Sequence, residues 1–225
     1  MKYALKACVA ALAIAAATPA AADIVVYDGV EYGVGDTINI HFEGSAGDQF
    51  EGLAADLALT FQSVDASGDY VFAYSIANTS TDPDQASSEL SGFGFDVDPN
   101  LSSATETGPL TVDSGNISNG VDVEFCLTAG ANCNGGSSNG DPIGNGGFDG
   151  FFTLLFAGGD PGMITLTDLT TRFQSTGANT EGSGIGTPTD PVPEPATWAM
   201  MLMGFGATGY AMRRRRRSAG IPQVA

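Results

Sequence analysis

Two stretches of this chain alternate apolar and polar side chains with a period of two, and that period restricts the fold more than any other feature. Leu53, Ala55, Leu57, Leu59 and Phe61 interleave with Asp56, Thr60 and Gln62, and Tyr70, Phe72, Tyr74 and Ile76 repeat the rule. Successive side chains of a strand point to opposite faces, so each stretch predicts a strand with one buried face. Asp65-Ala66-Ser67-Gly68-Asp69 between them reads as a turn, which makes the pair a predicted hairpin. Shorter runs follow the same logic: Ile24–Tyr27, then Ile38, Ile40 and Phe42, then Phe93, Phe95 and Val97, then Val121, Val123, Phe125 and Leu127. Leu110 and Val112 mark a weaker strand. Phe151 to Phe156 is continuously apolar, as in a strand buried on both faces. From Met163 to Phe173 the apolar phase changes between Leu166 and Leu169, which predicts a bulge or a bend.

No helical period appears between the two chain ends, and no internal repeat suggests a solenoid or propeller. About eight or nine short strands separated by turn signals predict an all-β domain. The expected architecture is an antiparallel β-sandwich, jelly-roll-like or immunoglobulin-like.

The ends read differently. In residues 1–22, Lys2 and Lys6 precede an apolar run from Ala7 to Ala17, and Ala20-Ala21-Ala22 offers a small-x-small cleavage site before Asp23. That order predicts a signal peptide with Ala20, Ala22 and Asp23 at the cut. At the other end Pro193-Glu194-Pro195 precedes Trp198-Ala199. Residues 196–212 hold no formal charge, and Arg213, Arg214, Arg215, Arg216 and Arg217 follow. Seventeen residues of helix span about 25 Å, the short end of what crosses a bilayer core of about 30 Å. Trp198 suits the interfacial belt, and the arginine block predicts a cytoplasmic end. The expected organisation is therefore a signal peptide (1–22), an ectodomain (23–176), a Gly/Ser/Thr/Pro linker (177–192), a tail (193–217) with a single transmembrane helix over 196–212, and a short extension (218–225).

The tail, with its Pro-Glu-Pro, Trp-Ala, apolar run with Gly-Phe-Gly, and arginine cluster in order, resembles the PEP-CTERM sorting signal of Gram-negative bacteria in its PEPxxWA form. That resemblance implies export through the Sec translocon, transient anchoring in the inner membrane, and recognition by an exosortase that cuts near Pro193-Glu194-Pro195. It also implies a destination at the outer surface or matrix, in association with exopolysaccharide and biofilm. The ectodomain is similar to an exported PEP-CTERM family called cistern. Ser91-Gly92-Phe93-Gly94-Phe95-Asp96, Asp98-Pro99-Asn100 and Asn119-Gly120-Val121-Asp122-Val123-Glu124-Phe125-Cys126 with Cys133 carry that similarity, which brings no activity with it.

Composition bounds the chemistry. Residues 23–190 hold 25 acidic side chains against the one base Arg172, a formal net charge of −24. Nucleic acid is excluded as a partner, because phosphate binding needs clustered Lys and Arg. Once the signal carrying Cys8 is gone, Cys126 and Cys133 remain, seven residues apart in a Gly/Asn-rich loop. In an oxidising compartment that pair predicts a disulfide. His41 is the only histidine, it falls on the polar face of a strand, and no Gly-x-Ser-x-Gly elbow is present, so a Ser-His-Asp hydrolase is not expected. Asp96, Asp98 and Asn100 offer oxygens at alternate positions for Ca²⁺, but Leu101 and Thr107 stand where an EF-hand loop needs Gly and Glu. Acidic turn residues capping their own backbone explain the same pattern. The expected function is a non-enzymatic acidic protein of the cell surface. A Ca²⁺-dependent carbohydrate-binding or adhesion module is the alternative, and a polysaccharide hydrolase using two carboxylates the third reading.

Overall fold

The computed structural model describes residues 23–44, 52–81, 87–118, 120–134, 140–176 and 182–189. They form thirteen strands: β1 (Ile24–Tyr27), β2 (Val30–Tyr32), β3 (Thr37–Gly44), β4 (Ala54–Val64), β5 (Tyr70–Asn78), β6 (Glu89–Asp98), β7 (Ser103–Thr107), β8 (Thr111–Ser118), β9 (Val121–Thr128), β10 (Asp141–Pro142), β11 (Phe148–Leu155), β12 (Met163–Thr176) and β13 (Gly182–Pro188). No helix is found among the described residues.

The strands hydrogen-bond in the order β7-β11-β5-β4-β3-β13-β12-β6-β9-β8. All these pairs are antiparallel, and β1 adds a parallel pair with β12. The two ends of the path, β7 and β8, touch and are joined by residues 108–110. The all-β antiparallel expectation holds. The strands form one continuous sheet rolled nearly into a closed barrel.

Aromatic rings fill the roll. Phe152 on β11 lies 5.1 Å from Phe72 on β5, 6.5 Å and 6.0 Å from Phe93 and Phe95 on β6, and 4.7 Å from Phe125 on β9. These strands lie on opposite sides of β13 along the sheet, so this one ring joins the two halves across the interior. Phe61 stacks on Tyr70 at 5.3 Å and extends the column toward the β4–β5 turn. The period-two reading of β3, β4 and β5 survives residue by residue, with Ile38, Ile40, Phe42, Leu57, Leu59, Phe61, Tyr70, Phe72 and Ile76 all buried.

Two expectations are overturned. Phe151–Phe156 is not buried on both faces: Phe152 and Leu154 point inward, whereas Phe151 is 50 % exposed. An antiparallel strand on a one-layer barrel has an outer face, and apolar composition does not change that. The linker expected over 177–192 contains β13, which pairs with β12 on one side and β3 on the other. Its core-facing positions are glycines. A Cβ on Gly186 would stand 2.5 Å from Thr171 Oγ1 and 3.2 Å from the Phe42 Cβ, so only glycine lets this strand approach so closely. Glycine-rich composition here means tight packing, where it had been read as a spacer.

The bulge predicted in β12 is present, with a register shift against β6 between Thr167 and Thr170 and a left-handed Asp168 (φ 52°). Phe152→Ala is expected to cost about 3–5 kcal/mol, through lost burial and a cavity between the two halves. Phe151→Ala one position away is expected to stay within about 0.5 kcal/mol. Urea midpoints of the two variants check the difference.

Candidate functional site

β13 ends at Pro188, and past that point no strand among the described residues lies between β12 and β3. A cleft of ≈ 1270 Å³ lies there. One wall is the β1–β2 hairpin with Tyr27 and Tyr32; the other is the outer face of β3, β4 and β5. The floor reaches the core at Ile40, Leu57, Leu166 and Leu169, and small residues on β4 and β5 (Ala58, Ser75, Ala77) keep the outer wall low.

The polar centre is His41. It sits opposite Asp56 in the β3–β4 register, and its Nδ1 meets Asp56 Oδ1 at 2.5 Å. Its Nε2 lies 3.9 Å from Glu43 Oε1. Asn39, Asp28 and Asp168 add an amide and two carboxylates to the same cleft. Two of the three non-glycine residues with left-handed backbone among the described residues, Asp28 and Asp168, are therefore found here. The sequence marked His41 as a strand residue facing solvent, and it is exposed. The sequence did not reveal that Tyr27, Tyr32 and Asp168 line the same cleft, since they come from segments distant from it in the chain or in strand order. The cleft also holds Thr189, whose N–H donates to the His41 carbonyl at 2.9 Å. Thr189, the most C-terminal of the described residues, thus lies at the cleft rim.

Of the three residues offered as Ca²⁺ oxygens, Asp96 has a backbone partner. Asp96 Oδ1 accepts the Glu124 N–H at 2.7 Å. Glu124 in turn accepts from the N–H of Leu101 at 2.6 Å and of Val97 at 3.3 Å, so a carboxylate gathers the backbone amides of the β6–β7 loop. Asp98 and Asn100 are exposed. Among the described residues no three His, Cys, Asp or Glu side chains converge as a metal cage. Cys126 and Cys133 form the expected disulfide, with Cα atoms 5.9 Å apart. It packs with Ile117 and Val123 in a small apolar cluster beside the main core.

Arg172, the only Lys or Arg among the described residues, is buried on β12, and its Nη1 donates to the Ile117 carbonyl at 2.9 Å. Burial pushes its pKa down. Ala20, Ala22, Pro193, Glu194, Pro195, Trp198, Ala199 and Arg213 to Arg217 lie outside the described residues, as does the expected membrane helix over 196–212. No helix among the described residues is long and apolar enough to cross a membrane.

Residues 191–217 match the family model described as the PEP-CTERM protein-sorting motif. Residues 191–217 thus form a sorting tail of the PEP-CTERM kind. Such a tail implies processing by an exosortase and a membrane-anchored stage on the way to the cell surface. Comparison with curated proteins and with solved structures gives no match.

Asp23, at the expected signal cut, is the first described residue. Burial and the neighbouring Asp160 carboxylate raise its pKa. Asp160 and Asp23 also stand near Tyr70, whose phenol is pushed up, first by burial and then by these two charges. A raised folded-state pKa gives stability that is complete below the unfolded value, about 10 for tyrosine, and is lost as pH rises through the folded value. Tyr70→Phe is therefore expected to move the alkaline unfolding midpoint upward and leave the melting temperature at pH 7 unchanged or slightly higher. Circular dichroism melts from pH 7 to pH 12 check it.

Proposed function

We propose that this protein is a non-enzymatic, acidic, cell-surface or matrix protein of a Gram-negative bacterium, delivered by its sorting tail and holding exopolysaccharide in the cleft beside His41. The observation that carries the delivery half is the sorting-motif match over 191–217. The likeness of residues 91–100 and 119–126 to cistern proteins supports the same destination.

The polysaccharide half rests on the cleft. Tyrosine rings present an apolar face with a polar tip, which suits the mixed surface of a sugar. Carboxylates, an amide and an imidazole supply fixed donors and acceptors for hydroxyl groups. Asp28, Glu43, Asp56 and Asp168 give the cleft a negative field, which favours neutral or amino-bearing glycans and opposes uronate- or sulfate-rich ones.

The reading as a binding protein also has support within the cleft. His41 and Asp56 are the orienting half of a Ser-His-Asp set. Ser75, the serine lining the same cleft, is on β5 with β4 between it and His41. Two strand spacings put it about 9–10 Å away, too far for a nucleophile to share a proton with the ring.

Purified ectodomain is expected to co-sediment with a neutral or amino-sugar polysaccharide at neutral pH, in chelator as well as in Ca²⁺. His41→Ala together with Asp56→Ala is expected to weaken that binding at least about tenfold, the loss of roughly one to two hydrogen bonds. Binding that disappears in chelator would favour the Ca²⁺-dependent alternative, and steady shortening of the polymer would favour the hydrolase.

A further inference from the structure

Lys2 and Lys6 are the only lysines of the chain, and both precede Asp23. The expected cut between Ala22 and Asp23 removes them and creates one new amine, the α-amino group of Asp23. The mature chain then has a single primary amine, on its first residue. That amine is a cation in a body that otherwise sets Arg172 against 25 carboxyl groups.

The structure shows what the amine meets. Asp23 leads into β1, whose Ile24 N–H donates to the Gly162 carbonyl at 3.2 Å. From there Ile24–Tyr27 pairs in parallel with Met163–Leu166 on β12. Asp23 therefore lies against the turn before β12, where Asp160 Oδ1 accepts the Gly162 N–H at 2.7 Å. The β4–β5 turn holds this turn from the other side, so closely that a Cβ on Gly68 would collide with the Asp160 backbone. The Asp23 and Asp160 carboxyls lie within hydrogen-bond reach of each other, and the Asp23 N–H donates to the Asp23 carboxyl. Tyr70, buried on β5, lies beside both carboxyls. In the β4–β5 turn itself, Asp65 Oδ1 is taken up by the N–H groups of Ser67 at 2.7 Å and Asp69 at 3.2 Å. Among the described residues, the charges that act on Asp23 and Tyr70 are carboxylates alone.

Two carboxylates this close repel each other when both ionise, and a cation beside them removes the repulsion. While residues 1–22 are attached, the Asp23 nitrogen is a neutral amide with one donor. After the cut the same nitrogen is an ammonium group with a full charge and three donors. It stands where the Asp23 carboxyl already accepts its N–H.

We propose that the Asp23–Asp160 carboxyl pair is a binding site for the chain's own new α-ammonium group, so that removal of the signal peptide sets an ion pair that pins the start of β1 to the turn before β12. The inference rests on the reading that the cut falls before Asp23. β1 leads into the hairpin that carries Tyr27 and Tyr32, so the pinned strand is a wall of the cleft. A free α-amino group titrates near 7.7–8.0, and carboxylates beside it raise that value. Its contribution to stability is complete below the unfolded value and is lost as pH rises through the folded one. It also fades below about pH 4, where carboxylates take up protons. The stabilising window therefore runs from about pH 5 to about pH 8.

The test uses the mature protein purified from its host. N-terminal sequencing reads the cut. An amine-selective acetylating reagent then modifies Asp23 alone, because no lysine remains, and removes the charge without altering a side chain. Acetylation is expected to lower the melting temperature at pH 6.5 by at least about 2 °C, the size a well-formed ion pair gives in a chain of this length. At pH 10.5 it is expected to change nothing. Asp160→Asn keeps an oxygen for the Gly162 N–H and loses the charge, so acetylation of that variant is expected to shift the melting temperature less than half as much. A first residue other than Asp23 removes the cut, and the proposal with it. Asp23 as the first residue, with equal melting temperatures before and after acetylation, overturns the contact and leaves the cut standing. An acetylation shift that Asp160→Asn retains in full also overturns it, because the ammonium group would then act elsewhere.

Discussion

Phe152 is the contact on which the rest of the molecule depends. A sheet of this length has two faces, and only one can be apolar in water. Rolling the sheet so that Phe152 meets Phe72 on one half and Phe95 and Phe125 on the other buries that face against itself. Tyr74 on β5 and Phe93 on β6, 5.7 Å apart, add a second aromatic contact between the halves. Edge-to-face and offset ring pairs of this kind add about 0.5–1.5 kcal/mol each beyond the area they bury, so the column also fixes how the halves register.

Rolling the sheet leaves a seam, and the seam explains both the cleft and the tail. β13 closes it from Gly182 to Pro188 with a glycine face that fits against Phe42 and Phe173. Beyond Thr189 nothing continues that strand on the described path, and the cleft with His41, Asp56 and the tyrosines opens there. The strand that completes the fold is thus the segment that leads to the sorting motif.

How much of this was legible in the sequence depended on whether the signal was local. The strands β3, β4 and β5 were readable because burial on one face writes a period of two into the sequence. The disulfide was readable because two cysteines seven residues apart in a small loop leave few partners. The tail was readable because four features occur in a fixed order. β7 was not, since Ser103–Thr107 carries no large apolar residue and lies mostly exposed. β13 was misread because glycine serves both flexible spacers and close-packed strands, and composition alone does not separate the two uses. The roll itself was hidden, because the contact of Phe152 with Phe125 and the meeting of Tyr32, His41 and Asp168 depend on strand order. Asp96 allowed two readings, a cation oxygen or a backbone cap, and its Oδ1 accepts the Glu124 N–H.

The central claim is that this acidic barrel is exported and parted from its tail. Intact-mass measurement of the protein from its host, in the membrane and extracellular fractions, tests it most directly. The account predicts an extracellular species that begins at Asp23, ends near Pro193 to Pro195, and weighs two hydrogens less than its reduced form because of the Cys126–Cys133 bond. A single species that keeps Trp198 and Arg213 to Arg217 through Ala225 in every fraction would contradict it, and the tail would then be a permanent anchor.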